Sequence, residues 1–126
     1  MDIIIRNEKE DDYLNVEEIT REAFWNLYFP GCNEHYLVHQ MRNHPDFIKE
    51  LDFVAEYNGQ AVGNIMYTKA QLIDEQGFKE DIISFGPVSV LPEFQRKGIG
   101  SALINHTKKI AIDTGIKAIV ILWRST

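Results

Sequence analysis

The stretch Val88-Ser89-Val90-Leu91-Pro92-Glu93-Phe94-Gln95-Arg96-Lys97-Gly98-Ile99-Gly100-Ser101-Ala102-Leu103 decides how this chain is read. Its first residues alternate apolar and polar, as a strand does, and Pro92, which has no amide hydrogen, ends the run. Ile99, Ala102, Leu103 and Ile110 then share one face at helical spacing, which predicts a helix to about Thr114 with Gly115 as its C-cap. The turn between them holds two glycines and two basic residues. A helix N-terminus leaves its first amide hydrogens unpaired and carries partial positive charge, so backbone there can bind phosphate oxygens directly. Gly98 and Gly100 permit close approach, and Arg96 and Lys97 focus an anion onto the turn.

Working outward, the strand begins near Asp81 and is interrupted at Gly86-Pro87, where a bulge or a local loss of pairing is expected. After the helix, Lys117 to Leu122 reads as a final buried strand, and a crossover helix makes it a parallel neighbour of the fourth. Upstream, Asp74-Glu75-Gln76-Gly77 reads as a turn. Ala61 to Lys69 and Leu51 to Tyr57 are strand-like runs joined through Asn58-Gly59, a pair that accepts the positive φ angles of a tight hairpin. These three strands form an antiparallel meander. Before them, Tyr13, Val16, Ile19, Ala23, Phe24 and Leu27 line one face of a helix that Pro30-Gly31 ends. A shorter helix follows Asn33, which is placed to cap it, and Ile3 to Ile5 make a first strand. The fold class is α/β (α+β), a mixed and mostly antiparallel sheet flanked by helices. No repeat, linker or low-complexity tract subdivides residues 1–126, so one domain is expected.

Gln95-Arg96-Lys97-Gly98-Ile99-Gly100 resembles the signature Gln/Arg-x-x-Gly-x-Gly/Ala of the GNAT (Gcn5-related N-acetyltransferase) family at every defining position, and Val88-Ser89-Val90-Leu91-Pro92 resembles the strand that precedes it there. The resemblance implies the GNAT-type acyl-CoA N-acyltransferase fold and acetyl-CoA as co-substrate. Carried over residue by residue, it makes Val88, Ser89 and Val90 the pantetheine strand, and Gln95, Arg96, Lys97, Gly98, Ile99, Gly100 and Ser101 the pyrophosphate cradle. A strand disturbed at Gly86-Pro87 splays from its neighbour and leaves backbone groups free for a ligand with two amides, which can bind by adding to a sheet edge.

Other phosphate motifs are excluded. A dinucleotide fold needs a third glycine where Ser101, Ala102 and Leu103 stand, and a Walker loop needs Gly-Lys-Ser or Gly-Lys-Thr. Thirteen basic against nineteen acidic residues give a formal charge of −6, which argues against nucleic acid or an anionic membrane as partner. The three isoleucines at the N-terminus are far short of a signal core or a membrane span. Cys32 has no internal disulfide partner and reads as a free surface thiol in a reducing compartment, hence a cytoplasmic location. His35 and His39 read as helix-surface residues and no metal site is expected, while His106 reads as a partly buried histidine of the long helix.

The acceptor itself, a small-molecule or peptide amine, leaves residues 88–101 unchanged whatever its identity. In the family the region between the first two helices borders the acceptor site, which makes Trp25 and Phe29 candidate walls; the family draws its base from varied positions on the central strands, where Ser84 and Asn64 are candidates to order a water without being bases themselves, and Glu34 and Glu22 are named as carboxylates with no motif behind them. Phe24 and Tyr28 read as core. The amine must be neutral to attack, and no residue stands out as its general base. The family continues past the fifth strand with a helix and a hairpin, whereas Trp123-Arg124-Ser125-Thr126 closes this sequence. The expectation is therefore a C-terminally truncated domain, with a homodimer formed through the last strand. Its alternative function is an acetyl-CoA or CoA-binding or interaction module without catalysis.

Overall fold

The computed structural model describes residues 2–27, 30–115 and 119–121, with Phe85 and residues 119–121 described through their backbone alone. Five strands, β1 (Ile4–Asn7), β2 (Phe53–Tyr57), β3 (Gln60–Ile73), β4 (Lys79–Val90) and β5 (Ile119–Ile121), form one sheet in the order β1-β2-β3-β4-β5. The first three pairings are antiparallel, and β4 pairs with β5 in parallel, as the crossover helix requires. Asn58 and Gly59, at φ 51° and 79°, turn β2 into β3 as expected. The Asp74 carboxylate accepts the amides of Gln76 and Phe78 and closes the β3–β4 turn.

Helices α1 (Tyr13–Phe24) and α2 (Glu34–Met41) pack together, and α3 (Ile99–Asp113) is separate from them. Side chains alternate across the sheet, so neighbouring β4 residues report which helix covers which face. Ser89 reaches Thr20 of α1, whereas Val88 and Val90 lie beside Gly100 of α3. The two helices therefore cover opposite faces. Ile99, Leu103, Thr107 and Ala111 make the buried ridge of α3 at steps of four, and Tyr67 of β3 hydrogen-bonds Thr107 at 2.6 Å. Gly63 lies under this ridge. A Cβ there would stand 3.2 Å from the Ser89 carbonyl oxygen and 3.3 Å from Ile99 Cγ2, so the helix seats closely only over glycine.

Several boundaries differ from expectation. Helix α1 ends at Phe24 rather than at Pro30, because Asn26 turns into the left-handed region at φ 58° and closes a loop with Gly31. The Asn26 amide donates to the Gly31 carbonyl at 2.9 Å, and the Gly31 amide donates to Asn26 Oδ1 at 2.6 Å. Leu27 thereby leaves the apolar face and is exposed. Asn33 occupies the N-cap position of α2 without a side-chain cap bond. Cys32 is buried rather than a surface thiol, and His106 is exposed, its ring T-shaped to Phe53 with centroids 4.8 Å apart. The expected last strand is described only at Ile119–Ile121; its remainder, Tyr28, Phe29 and the C-terminal residues lie outside the described part.

Candidate functional site

The disturbance expected at Gly86-Pro87 is a bulge. Ile65 pairs with Val88 and Tyr67 with Phe85, so Met66 alone faces the two residues Gly86 and Pro87. Beyond it, Val88, Ser89 and Val90 stay paired with Ile65, Asn64 and Gly63 on the β3 side. Among the described residues, the pairing with β5 covers Ile83, Ser84 and Phe85. The side of β4 at residues 88–90 that faces away from β3 has no described strand against it.

The chain then leaves the sheet in a fixed way. Leu91 N donates to the Val62 carbonyl at 2.9 Å, a short 3-10 turn runs over Pro92–Phe94, and Gln95 Nε2 donates back to the Val90 carbonyl at 3.0 Å. Gln95, placed by its sequence in the cradle, is thus a brace between loop and strand. Arg96 adopts φ 62° and Gly98 φ 84° before α3 begins. A left-handed arginine costs on the order of 1 kcal/mol and persists only where its surroundings impose it. No side chain caps α3, and the amides of Ile99, Gly100 and Ser101 have no carbonyl one turn back to bond. Arg96, Lys97, Gly98 and Ser101 are exposed, Ile99 is buried as the anchor, and Gly100 faces Val88 and Val90. The loop and the strand edge thus lie together, with free donors and two cations at one end and the bulged strand at the other.

Behind this edge, on the α1 face, Thr20 and Ser89 are both buried and their hydroxyls are 3.2 Å apart, while Thr20 also donates to the Val16 carbonyl at 2.9 Å. The Ser89 side chain therefore ties β4 to α1, and only its backbone remains for the strand edge. A hydroxyl on the apolar stripe of α1, at Thr20, is the sequence signal that reveals this contact in retrospect. Ser84 is half-buried on β4. Asn64 is fully buried: Nδ2 donates to Asp52 Oδ1 at 3.0 Å and to the Phe53 carbonyl at 2.9 Å, leaving Oδ1 without a partner.

The loop after α1 gathers the other candidates. Trp25 is half-exposed, with the Arg21 guanidinium 5.3 Å from its ring centroid and Gly31 beneath the ring. Arg21 also pairs with Glu18. Glu34 accepts the Asn33 amide at 3.1 Å at the start of α2, and Glu22 is exposed on α1. Cys32 Sγ lies 3.4 Å from His35 Nδ1, a contact the sequence did not suggest. Burial pushes the Cys32 thiol above its ordinary value and the Glu34 charge adds to this, so Cys32 is a thiol and a poor nucleophile at neutral pH. Among the described residues no group of three or more His, Cys, Asp and Glu could hold a metal ion, and no helix is long and apolar enough to cross a membrane.

A profile of the Acetyltransferase (GNAT) family matches residues 18–125. A GNAT family acetyltransferase of Brucella melitensis, solved in complex with acetyl-CoA, is similar at 29% identity and TM-score 0.84, over 98% of this chain and 77% of that one. The Escherichia coli GNAT family N-acetyltransferase YhbS, solved in complex with CoA, aligns at 22% identity and TM-score 0.77, over 95% of this chain and 62% of its own. A GNAT family acetyltransferase of Staphylococcus aureus shares the fold at 16% identity and TM-score 0.69, over 99% and 89% of the two chains. Comparison with curated proteins gives no match.

Proposed function

Because the chain belongs to the GNAT acetyltransferase family, we propose that it is an N-acetyltransferase, with acetyl-CoA held along β4 and the β4–α3 loop and an amine as acceptor. The observation that carries this reading is the junction itself. Among the described residues no strand lies on the outer side of β4 at Val88–Val90, just beyond the bulge, and an uncapped helix start follows immediately beside Arg96 and Lys97. The donor set fits the group: the amides of Ile99, Gly100 and Ser101 would hold the pyrophosphate, and the backbone of Val88 and Val90 the pantetheine amides. When bound, acetyl-CoA supplies an acyl group activated as a thioester.

The protein's part is positional and acid–base. Gln95 fixes the loop to the strand, and Thr20 fixes the strand to α1 through Ser89. The acceptor nitrogen must lose its proton before it attacks the acyl carbon. As the C–N bond forms the C–S bond breaks, and the sulfur leaves as thiolate or takes a proton. Glu34 and Glu22 are the carboxylates carried over from the sequence as candidates to receive the amine proton, and no side chain is singled out as the base. Ser84, half-buried on β4, can order a water in the same role, whereas Asn64 is sealed in the interior beside Asp52. Trp25, held between Arg21 and Gly31, would form part of the acceptor wall with Phe29. The single cysteine, Cys32, suits the cytoplasm.

Calorimetric titration with acetyl-CoA, followed by thiol release against a panel of small amines and peptides, tests the reading. Binding with release for at least one amine is the expected result. Binding without release across the panel would favour the cofactor-binding module, and no binding at millimolar acetyl-CoA would overturn both.

A further inference from the structure

Away from the cofactor loop, on the β1–β2 side, the interior holds a cluster of charges. Glu8 follows β1, and its side chain has no exposed surface. Arg42, just after α2, takes both of its oxygens, Nε to Oε1 at 3.0 Å and Nη2 to Oε2 at 2.9 Å. The third guanidinium nitrogen, Nη1, binds Glu17 of α1 at 2.8 Å, and the Tyr13 ring packs on the Arg42 guanidinium at 4.1 Å. His39 of α2 meets Glu17 at 2.9 Å on the exposed rim. Asp52, at the start of β2, is 4% exposed and lies against Glu8, with Asn64 of β3 donating to its Oδ1.

These groups do not balance if every carboxyl is ionised. Arg42 is the only buried cation among them, and it donates to Glu8, Glu17 and the Tyr13 carbonyl. Among the described residues Asp52 forms no ion pair, and Asn64 offers its side chain one neutral donor. Two carboxylates side by side in the interior repel strongly, and the pair is relieved if one keeps its proton and donates to the other. Glu8, held bidentately by Arg42, is the member that suits the charge. Burial first, and the Glu8 carboxylate second, accordingly push the Asp52 carboxyl up to about 9.

We propose that Asp52 is a neutral carboxylic acid donating to Glu8, and that this shared proton makes Glu8, Asp52 and Arg42 a latch that holds α2 to the β1–β2 edge and loosens under alkaline conditions. The latch joins α1, α2, β1, β2 and β3 around one proton. Its backbone counterpart is the Glu8 amide, which donates to the Asp52 carbonyl at 3.0 Å. Loss of the proton leaves two adjacent buried carboxylates sharing one guanidinium, and moving Arg42 with the end of α2 outward lets water reach them.

The direction of the pH effect follows from the carboxyl's raised value. Asp52 binds its proton more tightly folded than unfolded, where 3.8 is its ordinary value. Its contribution to stability is therefore fully present below about pH 4 and is lost as pH rises toward 9. Asp52→Asn keeps the shape and the donor to Glu8 but has nothing to titrate. The test is urea unfolding of both proteins from pH 5 to pH 9. The folding constant of the wild type should fall relative to Asp52→Asn by up to about tenfold per pH unit. Above pH 9, hydrogen exchange corrected for its intrinsic rate should show protection lost at Glu8 and the end of α2, but kept in α3, and unchanged in Asp52→Asn. Should the variant not fold, carboxyl ¹³C spectra of the wild type decide: a neutral acid at pH 7 supports the latch. Parallel stability curves, or an Asp52 carboxyl that ionises near pH 4, overturn it.

Discussion

Replacing Gly98 by Asp and, separately, by Asn isolates the electrostatic part of the proposed pyrophosphate site. Gly98 has φ 84°, and a Cβ built on it meets nothing within 4 Å. Either side chain therefore has room. The cost is conformational, about 1 kcal/mol, and near its minimum for Asp and Asn, the residues that best tolerate this region. The two variants should unfold within a few tenths of a kcal/mol of each other, and each about 1 kcal/mol below wild type. They differ in charge. A carboxylate about 5 Å from a phosphate charge, at an effective dielectric between that of water and a protein surface, costs roughly 1–3 kcal/mol. Gly98→Asp should therefore bind CoA about 10–100-fold more weakly than Gly98→Asn, and the gap should narrow as salt rises. Isothermal titration at two ionic strengths measures this directly, with urea unfolding as the control for folding. Equal affinity of the two variants for CoA would refute the placement of the pyrophosphate at this turn. An unfolded pair would show that the left-handed backbone at this position is required for folding instead.

Arg42→Ala should be among the most damaging single changes, because it strands Glu8 and Glu17 at a buried site; about 3–5 kcal/mol of lost stability is expected in urea unfolding. Gly63→Ala pushes a methyl against the Ser89 carbonyl oxygen, Ile99 and Leu103, and should cost about 1–3 kcal/mol with a raised dissociation constant for CoA, since the same helix start carries the loop. Cys32 should react with a thiol reagent far more slowly in the native protein than in urea, and equal rates would contradict its burial beside Arg21 and His35.

The β4–α3 cassette was legible from residues 86–103 alone because each of its features is local. A Gly-Pro pair disrupts a ladder, a Pro ends a strand, and a Gly-x-Gly turn ahead of apolar residues at helical spacing opens a helix whatever surrounds it. Asn58-Gly59 announced its hairpin for the same reason. The order β2-β3-β4-β5 followed from two tight turns and one crossover helix, whereas the pairing of β1 with β2, across two intervening helices, was not legible. What the tertiary structure decided is where side chains distant in sequence meet. Gln95 and Ser89 carried a signature and a strand pattern, yet their side chains brace the backbone and α1, a role that depends on Val90 and Thr20 being close in space. Helix α1 stops at Phe24 because Asn26 finds Gly31 across a loop, against a periodicity that ran on to Leu27. Glu8, Arg42 and Asp52 carry no distinguishing signal in the sequence. They became an interior cluster only when residues 34 and 44 positions away arrived beside Glu8, because a charge is kept out of water by the partners that surround it, and partners are a property of the fold.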